Sequence, residues 1–339
     1  MTDTRKVRWG IIGATARIAQ SAVIPAILAC ENAELTAVAS RSRERAQEIA
    51  GKIGSEVAAY GDYDSLIADA NVDAVYLPLP NNLHLGWAVE AMNNGKHVLC
   101  EKPLALNAME AEEMAETAEA NGVILSEAFM YCYHPMQTEV AGLVRRGALG
   151  EVRLVRASFS YRQPEEEYSR RDLSMGGGAL FEIGCYCLHI ARQAFGTEPT
   201  VVTAKSLYDP QLGIDTTTTA LMEFADGGMA LIDCSFSQTQ RAAYEIVGSS
   251  GSIYVSRFLL SSQVVGIGME AGEYCLSQEG QTFLHQSPPG NMYLGEIDAM
   301  SRRIRGENVF LLPADDGVGN MRVLDAVATS ARTGQKVIV

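Results

Sequence analysis

The chain has 339 residues, of which 47% are hydrophobic and 20% charged, and a formal net charge of −14. That length leaves room for two domains of ordinary size, each with its own core. The acidic balance disfavours a nucleic-acid partner, which needs a basic surface for the phosphate backbone, and no stretch approaches the roughly 20 continuous apolar residues that span a bilayer.

The opening MTDTRKVRWGII enters an apolar strand without a leader pattern, so a cytoplasmic protein with no membrane partner is expected. Seven cysteines, at 30, 100, 132, 185, 187, 234 and 275, lack paired metal spacing and read as reduced, buried thiols. Five scattered histidines offer no two-histidine helical site, and no metal is expected.

Residues 5 to 12 read as a strand that runs into Gly13, Ala14, Thr15, Ala16, Arg17 and Ile18, followed by a helix-like stretch. A turn of small residues at this point lets backbone amides approach a pyrophosphate. Ala and Thr largely replace the glycines of G-x-G-x-x-G, so the same residues also suit a plain tight turn. Pro25, inside the helical pattern, predicts a kink or break. The second strand, Leu35 to Ala39, ends at Ser40-Arg41 with Arg43 close behind, where an acidic residue would bind a ribose 2′-hydroxyl. A hydroxyl and a guanidinium suit a 2′-phosphate better, which favours NADP over NAD.

A further buried strand is read over Asp73 to Leu79, ending in Pro80-Asn81-Asn82-Leu83-His84, and Leu85, Ala88 and Ala91 then mark one helical face. The next strand, His97 to Cys100, lies in GKHVLCEKPLAL, and Pro103 stops any regular ladder from continuing. The backbone must turn there, which puts Glu101 and Lys102 at the carboxyl end of a strand, where open α/β sheets place their ligands. A lysine there can donate protons or hold charge; the two residues also read as a solvated charge pair closing a strand. Asn107 with Glu110 forms an N-cap signature ahead of a stripe at Ala111, Met114, Ala115 and Ala118, and Val123 to Ser126 is the last strand of the series. Alternating strands and helices predict a doubly wound parallel sheet, with a dinucleotide-binding domain over residues 1–128.

The period then changes. Val155, Ala157, Phe159 and Tyr161 alternate with Arg156, Ser158, Ser160 and Arg162, an antiparallel pattern with one apolar face. Hairpins are read at Thr216 to Phe224 with Ala230 to Phe236, and at Tyr244 to Val247 with Ile253 to Val255. Helices are expected near 134–146, 179–195, 292–305 and 317–332, so residues 129–339 read as an α+β domain with a large, mostly antiparallel sheet. Within GGGALFEIGCY, Glu182, Tyr186 and His189 stand at i, i+4 and i+7, which would place a carboxylate, a phenol and an imidazole on one helical face. A hydrogen-bonded polar stripe against the sheet would have the same spacing.

Three ordered segments, Glu101-Lys102-Pro103 after GKHVLC, Glu127-Ala-Phe-Met-Tyr131 leading to His134-Pro135, and the GGGALFEIGCY run, resemble the glucose-fructose oxidoreductase and inositol dehydrogenase family over essentially the whole chain. Tyr186 stands where many members carry His, as in the branch with glucose-fructose oxidoreductase, dimeric dihydrodiol dehydrogenase, xylose 1-dehydrogenase and keto-sugar reductases. The resemblance implies Tyr186 as proton donor or acceptor, supported by Lys102. It implies cofactor contacts from Gly13 to Ile18, Ser40, Arg41, Leu79, Pro80, Asn82, His84, Glu101 and Lys102. Substrate contacts are expected from Glu182, Phe159, Tyr161, His189 and the loop from Gln163 to Met175. An ammonium within hydrogen-bond range would lower the phenol's pKa from about 10.

The chain departs from the family pattern in carrying Glu182 for Asp and Cys132 for Arg, and the turn at 13 to 19 is one residue longer. It also lacks the long arm that clasps the cofactor in glucose-fructose oxidoreductase, so an exchanging cofactor is expected. The implied activity is NADP-dependent oxidation of an aldose at its anomeric carbon. Reduction of a keto-sugar, free or nucleotide-linked, and oxidation of a dihydrodiol are the alternatives, and a homodimer or homotetramer is expected. Relatives that sense a dinucleotide without turnover need not keep both Lys102 and Tyr186; this chain has both.

Overall fold

The computed structural model describes residues 5–163, 172–260 and 268–339. Six strands, β1 (Val7–Ile12), β2 (Ala33–Ala39), β3 (Ala58–Tyr60), β4 (Ala74–Leu77), β5 (His97–Glu101) and β6 (Leu125–Ala128), form one all-parallel sheet in the order β3-β2-β1-β4-β5-β6. Helices α1 (Ile24–Ala29), α2 (Arg43–Ile53), α3 (Tyr63–Ile67), α4 (His84–Asn93) and α5 (Ala108–Asn121) lie between them. The central strands are buried on both faces, as their unbroken apolar runs require. Strand order reverses between β1 and β4, so a crevice opens at their carboxyl ends.

The strand read over 73–79 stops at Leu77 because Pro78 has no N–H to give to a ladder, and the strand read over 123–126 lies two residues further on. Pro25 does mark a break: a π-helical turn, Ala19–Val23, precedes α1, whose first turn holds the proline. Asn107 caps α5, its side chain accepting the Glu110 N–H at 3.0 Å.

After α6 (Pro135–Arg145) come β7 (Val152–Arg162), α7 (Cys185–Phe195), β8 (Val201–Tyr208), β9 (Asp215–Glu223), β10 (Met229–Ser235), β11 (Ser237–Gly248), β12 (Gly251–Val255), β13 (Glu270–Gln278), β14 (Gln281–Gly290), α8 (Met292–Ile304), α9 (Ala314–Thr333) and β15 (Val337–Ile338). The nine strands form one sheet, β14-β13-β12-β11-β7-β10-β9-β8-β15, antiparallel except for the β10–β7 pair. Both expected hairpins are present as β9–β10 and β11–β12. Helices α6, α7 and α9 cover one face; Met229, Leu231, Tyr254 and Leu284 are exposed, and in β10 they alternate with buried Ala230 and Ile232. The helix expected over 179–195 is split, with a π-helical turn at Leu180–Gly184 running into α7.

The last two helices return to the first sheet. Trp9, fully buried in β1, donates its indole N–H to Ser301 of α8 at 3.1 Å, and Asp325 of α9 accepts the Ala108 N–H at 2.8 Å. Helices α7 and α9 are joined by His189, whose Nε2 lies 2.8 Å from Asp316, and by Arg192, 3.3 Å from the same carboxylate. Burial pushes the Asp316 carboxyl up, but His189 and Arg192 outweigh it and hold it at about 2. A depressed carboxyl stabilises the fold fully above the unfolded value near 4 and loses that contribution as pH falls towards 2. Asp316→Ala leaves the buried Arg192 short of a partner and should lower stability by about 3 kcal/mol at neutral pH. Urea unfolding at neutral pH and at decreasing pH checks this: the gap from wild type should narrow on acidification.

Candidate active site

The crevice of the first sheet faces the second sheet across a cleft of about 1560 Å³. On the first side β1 leads into Gly13, whose φ is +84° and whose N–H donates to Ala39 O at 3.1 Å. A Cβ there would lie 2.6 Å from Leu79 Cδ2, so only glycine fits the crossing. Ala14 is buried in the turn and Thr15 is exposed, while Ala16, Arg17 and Ile18 line the cleft opposite Leu79 and Pro80. Ser40 is buried at the end of β2 and Arg41 is exposed beside it. The small turn, the glycine at positive φ and the absence of an acid after Ala39 fit a dinucleotide whose adenosine end carries a 2′-phosphate.

Two expected contacts lie elsewhere. Asn82 is exposed and its neighbour Asn81 lines the cleft instead, donating to Gly176 O at 3.2 Å. His84 is fully buried behind the wall, its ring nitrogens 2.9 Å from Leu79 O and 3.1 Å from Pro103 O, so it ties two loops together rather than facing a ligand.

The turn after β5 carries the cation. The Lys102–Pro103 peptide is cis, and Glu101 accepts the Tyr76 hydroxyl at 2.5 Å and the Lys102 N–H at 3.3 Å. Burial raises the Glu101 carboxyl's pKa even with Lys102 beside it. Lys102 Nζ reaches across the cleft to the π-helical turn, donating to Glu182 O at 2.9 Å and standing 3.2 Å from its carboxylate. It also lies over the face of the Tyr186 ring, 5.4 Å from the centroid.

Tyr186, in the first turn of α7, is almost wholly buried, with Phe129 edge-on at 5.1 Å and Phe159 at 5.6 Å between ring centroids. Its hydroxyl donates to Met130 Sδ at 3.6 Å. Burial pushes this phenol well above its ordinary range, and the Glu101 and Glu182 carboxylates add to the effect. The expected lowering by Lys102 is therefore corrected: the ammonium sits over the ring, and desolvation dominates.

The expected single face of Glu182, Tyr186 and His189 is also corrected. Glu182 and Tyr186 line the cleft, but His189 is fully buried, its Nδ1 2.7 Å from the Tyr131 hydroxyl and its ring stacked on Phe129 at 4.3 Å. Tyr186 and His189 both lie in the regular turns of α7, three residues and so about 60° around the axis from one another, which turns His189 away from the cleft.

Phe159 and Tyr161 of β7 line the same cleft. Of the loop from Gln163 to Met175, residues 164–171 lie outside the described residues. Sequence reasoning missed the opposite rim: a bulge in β11 between Ser237 and Arg241 turns Gln238, Thr239 and Gln240 into the cleft, near Arg162, Arg241 and Arg257. The unbroken polar run SQTQR was the available signal. Among the described residues no group of three or more His, Cys, Asp or Glu could hold a metal, and no helix is long and apolar enough to cross a membrane.

A Rossmann-type sheet whose crevice brings a lysine and a phenol together against a second sheet defines a dinucleotide-dependent oxidoreductase. The chain belongs to the GFO/IDH/MocA oxidoreductase family: residues 7–129 match its NAD-binding Rossmann-fold model and residues 138–254 its C-terminal domain. It is 35% identical over 330 residues to D-xylose 1-dehydrogenase (NADP(+)) 2 of Haloferax volcanii, covering 97% of this chain and 98% of that one. Aldose-aldose oxidoreductase from Caulobacter crescentus, solved with glycerol, superposes with a TM-score of 0.89 at 26% identity, over 99% of this chain and 100% of that one. A 3-ketoreductase from Actinomadura kijaniata, solved with NADP and TDP-benzene, gives 0.85 at 28% identity, over 96% and 98%.

The raised phenol can be read directly. In an ultraviolet pH titration, wild type and Tyr186→Phe should gain the same tyrosinate absorbance through the ordinary tyrosine range near pH 10. A larger gain in wild type would place the Tyr186 pKa within the normal range.

Proposed function

We propose that the protein is an NADP-dependent sugar oxidoreductase that oxidises an aldose at its anomeric carbon. The observation that carries this is the meeting of Lys102 and Glu182 beside the Tyr186 ring at the mouth of the dinucleotide crevice. Support comes from Ser40 and Arg41 in place of an acid after β2, and from a xylose dehydrogenase relative that matches along nearly its whole length.

A bound nicotinamide supplies or accepts the hydride. Tyr186, as the phenolate, takes the substrate hydroxyl proton in oxidation and, as the phenol, donates it in reduction. The Lys102 ammonium offsets negative charge developing on the phenol oxygen. At a separation on the order of 5 Å and an effective dielectric near 20, that attraction is roughly 3 kcal/mol, or about two powers of ten in rate. Glu182 accepts hydrogen bonds from neighbouring sugar hydroxyls, and Phe159 and Tyr161 flank the ring. Residues 1–128 serve as the dinucleotide-binding unit and 129–339 as the substrate-binding unit. The exposed apolar side chains on the outer face of the nine-stranded sheet suit a homodimer or homotetramer, and a cytoplasmic location fits this reading.

Reduction of a nucleotide-linked keto-sugar is the second reading. The rim of Arg162, Arg241 and Arg257 with its polar bulge favours it, since guanidinium groups match a diphosphate.

Following nicotinamide absorbance over a panel of aldoses and keto-sugars, with NAD and NADP in parallel, decides between these readings; silence across the panel with NADP bound would sink both. Lys102→Ala and Tyr186→Phe should each lower turnover at least about a hundredfold while NADP binding stays measurable. Arg41→Ala should weaken NADP relative to NAD by about tenfold, the loss of one charge-assisted contact. An unchanged cofactor ratio would remove Arg41 from the 2′-phosphate site.

A further inference from the structure

A second cavity, of about 310 Å³, opens at the opposite edge of the six-stranded sheet, at the amino ends of β1, β4 and β5 and the carboxyl end of α8. That volume is at the lower end of the small-molecule range. Its wall holds four cations, Arg5, Lys6, Arg8 and Arg305, against one carboxylate, Asp73. Arg305 is itself paired with Glu307, and Arg5 and Arg8 share Asp73, which still leaves an excess of positive charge on the wall in a chain of net charge −14.

The carboxylate is already committed. Asp73 accepts the Arg8 backbone N–H at 3.0 Å and both arms of its guanidinium, at 3.0 and 2.6 Å. Beneath the floor lies Lys96, 7% exposed, whose ammonium donates to Asp69 O at 2.7 Å and Val72 O at 2.8 Å. These are carbonyls; among the described residues no carboxylate forms an ion pair with Lys96, and Asp69 and Asp73 act on its charge from further away. His97, also in the wall, adds a donor: its Nδ1 accepts the Ile124 N–H at 2.9 Å, so in the neutral ring the proton is on Nε2. The negative end of the α8 dipole opposes an anion here, and Arg305, one residue beyond the helix, offsets it.

We propose that this cavity binds a phosphate-bearing small molecule, held by Lys6 and the arginine wall and oriented by His97. The site is separate from the dinucleotide crevice, yet β5 and α8 each run from one to the other: β5 ends at the Lys102 turn, and α8 carries Tyr293 into the main cleft.

The test is calorimetric titration of the full chain with NADP already saturating, so that the main crevice is filled, and with ionic strength held constant by chloride. Inorganic phosphate, phosphoethanolamine and ethanolamine are the probes, none of them a sugar that the main cleft would take. Phosphate and phosphoethanolamine should bind and ethanolamine should not; tighter binding of phosphoethanolamine would point to an organic phosphate as the ligand, equal binding to free phosphate. Lys6→Glu, at an exposed position, should weaken binding at least about tenfold, Lys6→Arg should retain it, and NADP affinity should be unchanged in both. The proposal is overturned if neither phosphate binds in the presence of NADP, if ethanolamine binds as well as phosphoethanolamine, or if Lys6→Glu binds like wild type.

Discussion

One ammonium group joins the two halves of this molecule. Lys102 leaves the end of a parallel strand and is received by the backbone and carboxylate of Glu182, in a turn that belongs to the other sheet. Much of the surrounding structure serves that reach. Glu101 is fixed by Tyr76. Glu127, on the neighbouring strand β6, accepts the Leu104 N–H at 2.9 Å and so secures the chain just beyond Pro103. His84 ties the same turn to Leu79. The residues that make the sequence resemble its family are thus largely those that hold one lysine in place.

The receiving side is built from rings rather than charges. Phe129 follows β6 and packs edge-on against Tyr186; His189 stacks on Phe129, and Asp316 with Tyr131 holds His189. A ring caged in this way has little rotational freedom, so the phenol oxygen is placed by packing that spans β6, α7 and α9. Dry packing has an electrostatic cost. Glu127 and Glu296 are each 1% exposed with one carboxylate oxygen lacking a partner, and burial pushes both carboxyls well up. Together with Glu101 these acids make the junction a place where negative charge is expensive, which raises the worth of the nearby ammonium.

How much of this could be read from the residues follows from periodicity. Five of the six parallel strands announce themselves because burial demands apolar runs, the short half-buried β3 does not, and the Lys102 turn shows because Pro103 cannot extend a ladder. The strands β8, β13 and β14 escaped notice: β14 carries Pro288 and Pro289, which only an edge strand tolerates, and its side chains are mostly exposed, so no apolar alternation marks it. At the site, Glu182 and Tyr186 were legible and the placement of His189 was not, because the offset of about 60° between positions i and i+3 of α7 is enough to turn a side chain from the cleft into the core. The bulge in β11 was invisible for a related reason: an extra residue in a strand changes where side chains point without changing which residues they are.

The partner of the Tyr186 hydroxyl bears on how its proton moves. A thioether is a weak acceptor, so handing the phenol proton to a substrate oxygen gives up little hydrogen bonding. The burial that keeps the phenol neutral penalises the phenolate, which is the form that accepts a proton in oxidation and the form left behind in reduction. Both directions therefore depend on Lys102, now engaged with Glu182. Sugar hydroxyls arriving at Glu182 would compete for the carboxylate that holds the ammonium, loosening Lys102 as the substrate is seated. Glu182 would in this way couple substrate binding to the stabilisation of the phenolate.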